Sequence, residues 1–101
     1  MKFYAIKNWN DFQHYSKRNP PWIKLHRAIL DDYNFCDLPD AAKAHLMLLW
    51  AYASQNNGRV PADAPFLERK LSITNLDLDL LVERGFLIDD AVNTGIKLAG
   101  G

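Results

Sequence analysis

Three histidines, one cysteine and a run of carboxylates are the side chains of this chain that could do chemistry. His14, His26 and His45 stand 12 and 19 residues apart, which is not the short ligand spacing of a zinc motif. Cys36 and His45 would serve as nucleophile and base only with a third group to orient the imidazole, and the sequence supplies none. His45 lies beside Leu46 and Leu49 and reads as a hydrogen-bonded core or boundary histidine, and Cys36 as a buried structural thiol. Asp31, Asp32, Asp37 and Asp40 could hold magnesium or exchange protons, yet helix termination and capping account for them more simply. Gly58-Arg59 lacks the several glycines and the lysine of a phosphate-cradling loop. The expectation is a chain with no catalytic residue, no metal, no cofactor and no small-molecule substrate.

Charge gives a more positive lead. Twelve Lys and Arg balance twelve Asp and Glu, but unevenly along the chain. Residues 1–27 carry six cations, Lys2, Lys7, Lys17, Arg18, Lys24 and Arg27, against Asp11 alone, a charge of +5 that leaves −5 for the remainder. Lys17, Arg18, Lys24 and Arg27 alternate with Tyr15, Trp22 and His26, a mixture that grips phosphates and stacks bases. Such an asymmetry directs a polyanion to the N-terminal segment.

These residues need a frame. With 101 residues, 49% of them apolar, the chain has the size and the apolar content for one core but not for two domains. A single cysteine agrees with a reducing compartment, and the N-terminus lacks the apolar run of a signal peptide. The longest apolar stretch, Leu46 to Ala53, is far short of the ~20 residues of a membrane span. A cytoplasmic protein without membrane contact is expected.

Periodicity and punctuation predict the elements. Phe3 to Trp9 reads as a strand and Asp11 to Tyr15 as a helical turn. Asn19-Pro20-Pro21 starts an extended stretch, after which Trp22, Leu25 and Ile29 recur at helical spacing to about Leu30; Trp22 is then a core residue, with base stacking as the alternative. Asp31-Asp32 ends that helix. Asp37 is the expected N-cap of a central helix to about Ser54, apolar on nearly every face and covered on several sides, and Asn56-Asn57-Gly58 stops it. Arg59-Val60-Pro61 is extended. Asp63 caps a helix burying Phe66, Leu67 and Leu71, and Thr74 with Asp77 opens a third helix burying Leu76, Leu80 and Leu81, with Gly85 as its C-cap. Phe86-Leu87-Ile88 and Gly95-Ile96-Lys97-Leu98 read as a hairpin around Asp89-Asp90. The predicted fold class is mainly α: a winged helix-turn-helix with a three-helix core, a small C-terminal β-hairpin and an N-terminal extension. One domain fills residues 1–101, with the extension at 1–21 and the winged-helix core at 22–98.

Particular residues carry more than a pattern. Phe12-Gln13-His14-Tyr15, Asn19-Pro20-Pro21-Trp22-Ile23-Lys24-Leu25, and Leu38-Pro39-Asp40 with Lys43-Ala44-His45-Leu46 resemble phage replication proteins. Gly58-Arg59-Val60-Pro61-Ala62-Asp63 and Leu81-Val82-Glu83-Arg84-Gly85-Phe86-Leu87 are similar to the N-terminal winged-helix domain of phage replisome organisers and their DnaD-like relatives. The resemblance covers about residues 9–88. It implies DNA replication initiation on a phage or prophage genome, by recognising an origin or bringing helicase-loading machinery to it, and it implies no chemistry. Its members are typically longer, so this chain would correspond to their N-terminal domain or to a short variant.

The third helix departs from a DNA-reading pattern, because Asp77, Asp79 and Glu83 on it repel phosphate and only Thr74, Asn75 and Arg84 suit a base edge or backbone. The candidate DNA-binding residues are therefore Lys17, Arg18, Lys24 and Arg27 first, with Arg59 and Lys97 near the wing strands, Arg69 and Lys70 on the second helix, and Thr74, Asn75 and Arg84 on the third. The expected partners are DNA, a second copy in a homodimer, and a helicase or helicase loader. The alternative is an interaction or oligomerisation winged helix in a replisome or primosome assembly.

Overall fold

Alternating burial along Phe3-Tyr4-Ala5-Ile6 is the signature of a strand with one face on a core, and the computed structural model, which describes residues 2–9 and 21–89, forms strand β1 there (Phe3–Ile6). Tyr4 and Ile6 are the buried pair. A short 3-10 helix (Arg27–Asp31) leads into the single-turn helix α1 (Tyr33–Cys36). Helix α2 (Asp40–Ala53), strand β2 (Arg59–Pro61), helix α3 (Ala64–Leu71), helix α4 (Leu78–Glu83) and strand β3 (Leu87–Asp89) follow. The described residues thus hold four α-helices and one three-stranded antiparallel sheet, a mixed α/β arrangement with more sheet than a mainly α chain was expected to show.

β1 lies in the middle of the sheet. It pairs Tyr4 with Val60 of β2 on one side and Ala5 with Ile88 of β3 on the other. Residues that the sequence assigned to an N-terminal extension therefore join the two later strands. Lys2 reinforces the arrangement: its ammonium lies 3.0 Å from the Asp89 carboxylate and 5.3 Å from the Tyr4 ring centre. The hydrogen bond to Asp89, then the charge of that carboxylate, raises the Lys2 pKa above its ordinary value. A raised lysine pKa means that the pair is fully formed at neutral pH and weakens only as pH climbs through the lysine range. Exposed as it is, the pair adds little stability.

α2 is the core helix. Ala42, His45, Leu46, Leu49, Trp50 and Ala53 are buried at the three- and four-residue spacing of one broad face, while Leu48 on the other side is exposed. The helix is thus covered on one side, not on several. Leu46 and Leu49 meet Val60, Leu67, Leu81 and Leu87, all at or near zero exposure, where strands and helices converge. Each such side chain contributes about 1.5–3 kcal/mol by leaving water. The helix starts at Pro39, without a side-chain cap, and Asp40 sits in its first turn. Asp37, expected as the N-cap, instead follows α1 and pairs with Arg84.

Capping sets the remaining boundaries. Asp63 accepts the Phe66 amide at 3.1 Å to open α3, whose Leu67 is fully buried, while Phe66 is exposed, contrary to expectation. Between α3 and α4, Ser72 and Asn75 take left-handed backbone, and the Glu68 carboxylate accepts the Leu76 amide at 2.9 Å. Asp77 is itself the N-cap of α4, accepting the Leu80 amide at 3.0 Å, so the helix begins later than a Thr74 capping box would place it. Leu78 joins Leu76 and Leu81 among its buried residues, and Leu80 is half-buried. Gly85, at φ +84°, ends α4 in a Schellman turn, with the Phe86 amide donating to Leu81 and the Gly85 amide to Val82. β3 stands where the first arm of the hairpin was expected, shifted by one residue so that Asp89 is in the strand and not in the turn, and it pairs with β1; the second arm, at 95–98, and the Asp11–Tyr15 turn lie outside the described residues.

Two glycines occupy left-handed backbone in very different surroundings. Gly58, at φ +77°, lies flat on the buried Trp9 indole, and a methyl group there would come within 2.5 Å of Trp9 Cγ. At Gly85 the nearest atom to such a methyl is the Lys7 ammonium, 3.9 Å away. Gly58→Ala is expected to cost about 2–5 kcal/mol, backbone strain plus overpacking, and Gly85→Ala about 1–2 kcal/mol from strain alone. Urea unfolding of the two variants measures the difference; equal losses would remove the Trp9 contact from the explanation.

Candidate nucleic-acid interface

The predicted helix from Trp22 to Leu30 does not form. Residues 21–26 carry no helix, and only Arg27–Asp31 winds into the 3-10 helix, whose N-terminal residue His26 gives no side-chain cap. No side-chain cap opens a helix before Arg27, where His26 stands at the N-terminal boundary. The spacing of Trp22, Leu25 and Ile29 consequently buries only part of the trio: Trp22 is 51% and Leu25 58% exposed, and Ile29 is half-buried. Trp22 is a surface residue, not a core one.

This extended strip carries Lys24, half-buried, and Arg27, exposed. Lys24, His26, Ile29 and Asp32 wall a groove of about 80 Å³. Its floor is aromatic. The Phe35 ring stacks on Trp50 with centroids 6.2 Å apart and meets Phe86 edge-on at 6.4 Å. Asp32, Trp50 and Phe86 also line a second hollow of about 150 Å³, which adds Lys7, Asn8 and Arg84. Both hollows thus set lysine beside Asp32, above rings of which Phe35 and Trp50 belong to the buried core.

Each element places its contribution for a local reason. Asp32 accepts the Phe35 amide at 3.2 Å, capping α1 and presenting Phe35 to the core. Trp50 is on the buried face of α2. Phe86 follows the glycine turn that ends α4, and its carbonyl accepts the Lys7 amide at 3.2 Å, which carries Lys7 to the same edge.

The other candidate residues are dispersed. Arg84 lines the second hollow but is engaged, its guanidinium donating to Asp37 at 2.8 Å. Thr74 and Asn75 are exposed in the turn before α4, where Asn75, Asp77 and Asp79 share a separate shallow hollow with Tyr4 and Leu78. Arg69 and Lys70 are exposed in the last turn of α3, where cations suit the helix dipole. Arg59 is exposed on β2. Lys17, Arg18 and Lys97 lie outside the described residues. Lys7, Phe35, Trp50 and Phe86 were not singled out by sequence; the charge count of the first 27 residues was the only signal that included Lys7.

The residues considered for chemistry hold structural positions. Asp32 caps α1, Asp37 pairs with Arg84, and Asp40 lies 3.7 Å from Lys43 one turn on. Cys36 is exposed, not buried as expected, with its sulfur 3.3 Å from the carbonyls of both Ile29 and Leu30. His45 is buried on α2. Among the described residues no three His, Cys, Asp or Glu side chains gather into a group able to hold a metal ion, and no helix is long and apolar enough to cross a membrane. Comparison with models of protein families, with curated proteins and with solved structures finds no match.

On α4, Asp77 combines two properties, a cap and a negative charge. Substitution separates them. Asp77→Asn is expected to keep stability within a few tenths of a kcal/mol, because asparagine caps as well as aspartate, whereas Asp77→Ala loses about 1 kcal/mol. Thermal unfolding of both variants decides; equal losses would assign the effect to charge.

Proposed function

We propose that this chain is a non-enzymatic DNA-binding module of a phage or prophage replication-initiation protein, holding DNA mainly through phosphate contacts. The observation that carries the reading is the exposed strip at residues 21–27, where Trp22, Lys24 and Arg27 stand at a surface beside an aromatic groove. Cations next to exposed aromatic rings are the equipment of a nucleic-acid surface. The resemblance of residues 9–88 to phage replication proteins supplies the biological setting.

The fold within this proposal is a winged helix. α2, β2, α3, a turn, α4 and β3 succeed one another in the order such a domain requires, and the three helices share one core. DNA does not approach through α4, whose exposed Asp79 and Glu83 oppose phosphate. It approaches through the basic strip, with Lys17 and Arg18 continuing the same charge in sequence.

A second reading, a protein-interaction domain in a replisome assembly, has its own observation. Leu30 is 74% and Tyr33 77% exposed, large apolar surfaces close in sequence to the strip. Salt response separates the two. Fluorescence anisotropy with short labelled DNA is expected to give micromolar binding that weakens several-fold between about 50 and 200 mM salt. Lys24→Glu with Arg27→Glu is expected to weaken it at least about tenfold, while Thr74→Ala with Asn75→Ala leaves it unchanged. A dimer that persists at both salts, without DNA binding up to about 100 µM, would instead select the interaction domain.

A further inference from the structure

We propose that the hollow between the first turn of α2 and the start of α4 is a seat for one uncharged carboxamide, the head group of a glutamine or asparagine side chain on a protein partner. It shares no residue with the aromatic groove or with the strip at 21–27, and it does not depend on the DNA-binding reading.

Two independent features point to a ligand there. The hollow, of about 190 Å³, is lined by His45 and by Pro39, Ala41 and Ala42 of the helix start. His45 is only 8% exposed, and among the described residues no group hydrogen-bonds its ring. A buried polar group left in that state is costly, so it marks a place where a partner is missing. α2 has no side-chain cap, and the amides of Asp40, Ala41 and Ala42 in its first turn have no acceptor among the described residues.

The polar groups around the hollow select the ligand. Donors come from the first turn of α2 and from the exposed Asn75 side chain; the acceptor is the Asp77 carboxylate, whose Oδ1 takes the Leu80 amide. A carboxylate ligand suits the helix start but is repelled by Asp77, and by Asp40 in that same first turn. An ammonium suits Asp77 but meets the positive end of α2, whose amides it cannot satisfy. A carboxamide is neutral, with an oxygen for the amides and an N–H for the carboxylate, and a neutral imidazole can pair with either end of it. Leu76, Leu80 and Leu81 supply an apolar wall for the methylenes that carry it. Asn75, Leu76 and Asp77 also line the shallow hollow beside Tyr4, Leu78 and Asp79, so the two adjoin. An extended protein segment can fill both, as a free small amide cannot, whereas the phosphates of DNA are opposed by Asp77 and Asp79.

The test titrates the nitrogen-15-labelled full chain with butyramide, butyrate and butylammonium at constant ionic strength. The Ala41, Ala42 and Asn75 amides and the His45 ring nitrogens are followed. Butyramide is expected to shift them saturably, with a Kd of about 1–10 mM, and to bind about tenfold more tightly than either ion, the factor that one mismatched hydrogen-bonding group supplies. A short capped peptide with a central glutamine is expected to bind at least as tightly as butyramide, and its glutamate counterpart about tenfold more weakly. Ala41→Leu, at an exposed position that borders the hollow, is expected to abolish the response. Asn75→Gly, which tolerates the left-handed backbone, is expected to weaken it several-fold. The ligand comparisons on the unaltered chain stand even if a variant does not fold. An equal response to the amide and to an ion, tighter binding of either ion, or no saturation by any ligand up to about 200 mM would overturn the carboxamide seat. Binding of butyramide without binding of the glutamine peptide would overturn the protein partner.

Discussion

The pairing of Phe3–Ile6 with a strand on each side is the constraint from which the rest of the arrangement follows. Both ladders of a four-residue strand are engaged, so β2 and β3, more than twenty residues apart in the chain, are held in one sheet with Val60 and Leu87 turned to the leucines of α2. The same pairing carries the strand's continuation to fixed places. The Ile6 amide donates to Gly58 and the Lys7 amide to Phe86, and Trp9 is laid against the Gly58 backbone. The Lys7 backbone takes its position from this continuation of β1.

Charge is segregated on this frame. The carboxylates of α4 are spent on capping or left in solvent, while the cations of the first 27 residues include those beside the aromatic groove. A helix-turn-helix that reads bases through its third helix needs the opposite distribution. Scaffold and proposed interface are therefore separate: α2, α3 and α4 contribute to the core, and the proposed nucleic-acid surface draws on β1's end, the strip at 21–27 and the turn after α4. Lys7 reaches the turn after α4 because its amide donates to Phe86, not because the two are neighbours in sequence.

Several elements were legible in the sequence because a local rule governs each. The Asp63 cap, the end of α2 near Ser54 and the glycine after α4 are all decided by a few adjacent residues and stand as read, while the strand expected over Phe3 to Trp9 forms only to Ile6. Trp22 was not legible, because a spacing of three and four residues marks a buried face only where a helix forms, and here the chain stays extended to an uncapped His26. Asp37 looked like a cap but is drawn off by Arg84, 47 residues later, a contact that no local pattern announces. The exposure of Cys36 follows from α1 being a single turn, too short to hide both Phe35 and its neighbour. The groove itself joins residues of α1, α2 and the turn before β3, so tertiary packing alone could reveal it.

Where nucleic acid touches the chain separates the proposed strip from the helix-turn-helix surface. Amide chemical-shift mapping of the nitrogen-15-labelled protein, titrated with short DNA, reads that location directly. The account expects shifts at Lys7, Lys24, Arg27 and Phe86 that saturate together, with Asp79 to Glu83 unmoved. Shifts concentrated on α4 and the turn at Thr74 and Asn75, with the strip unmoved, would contradict it.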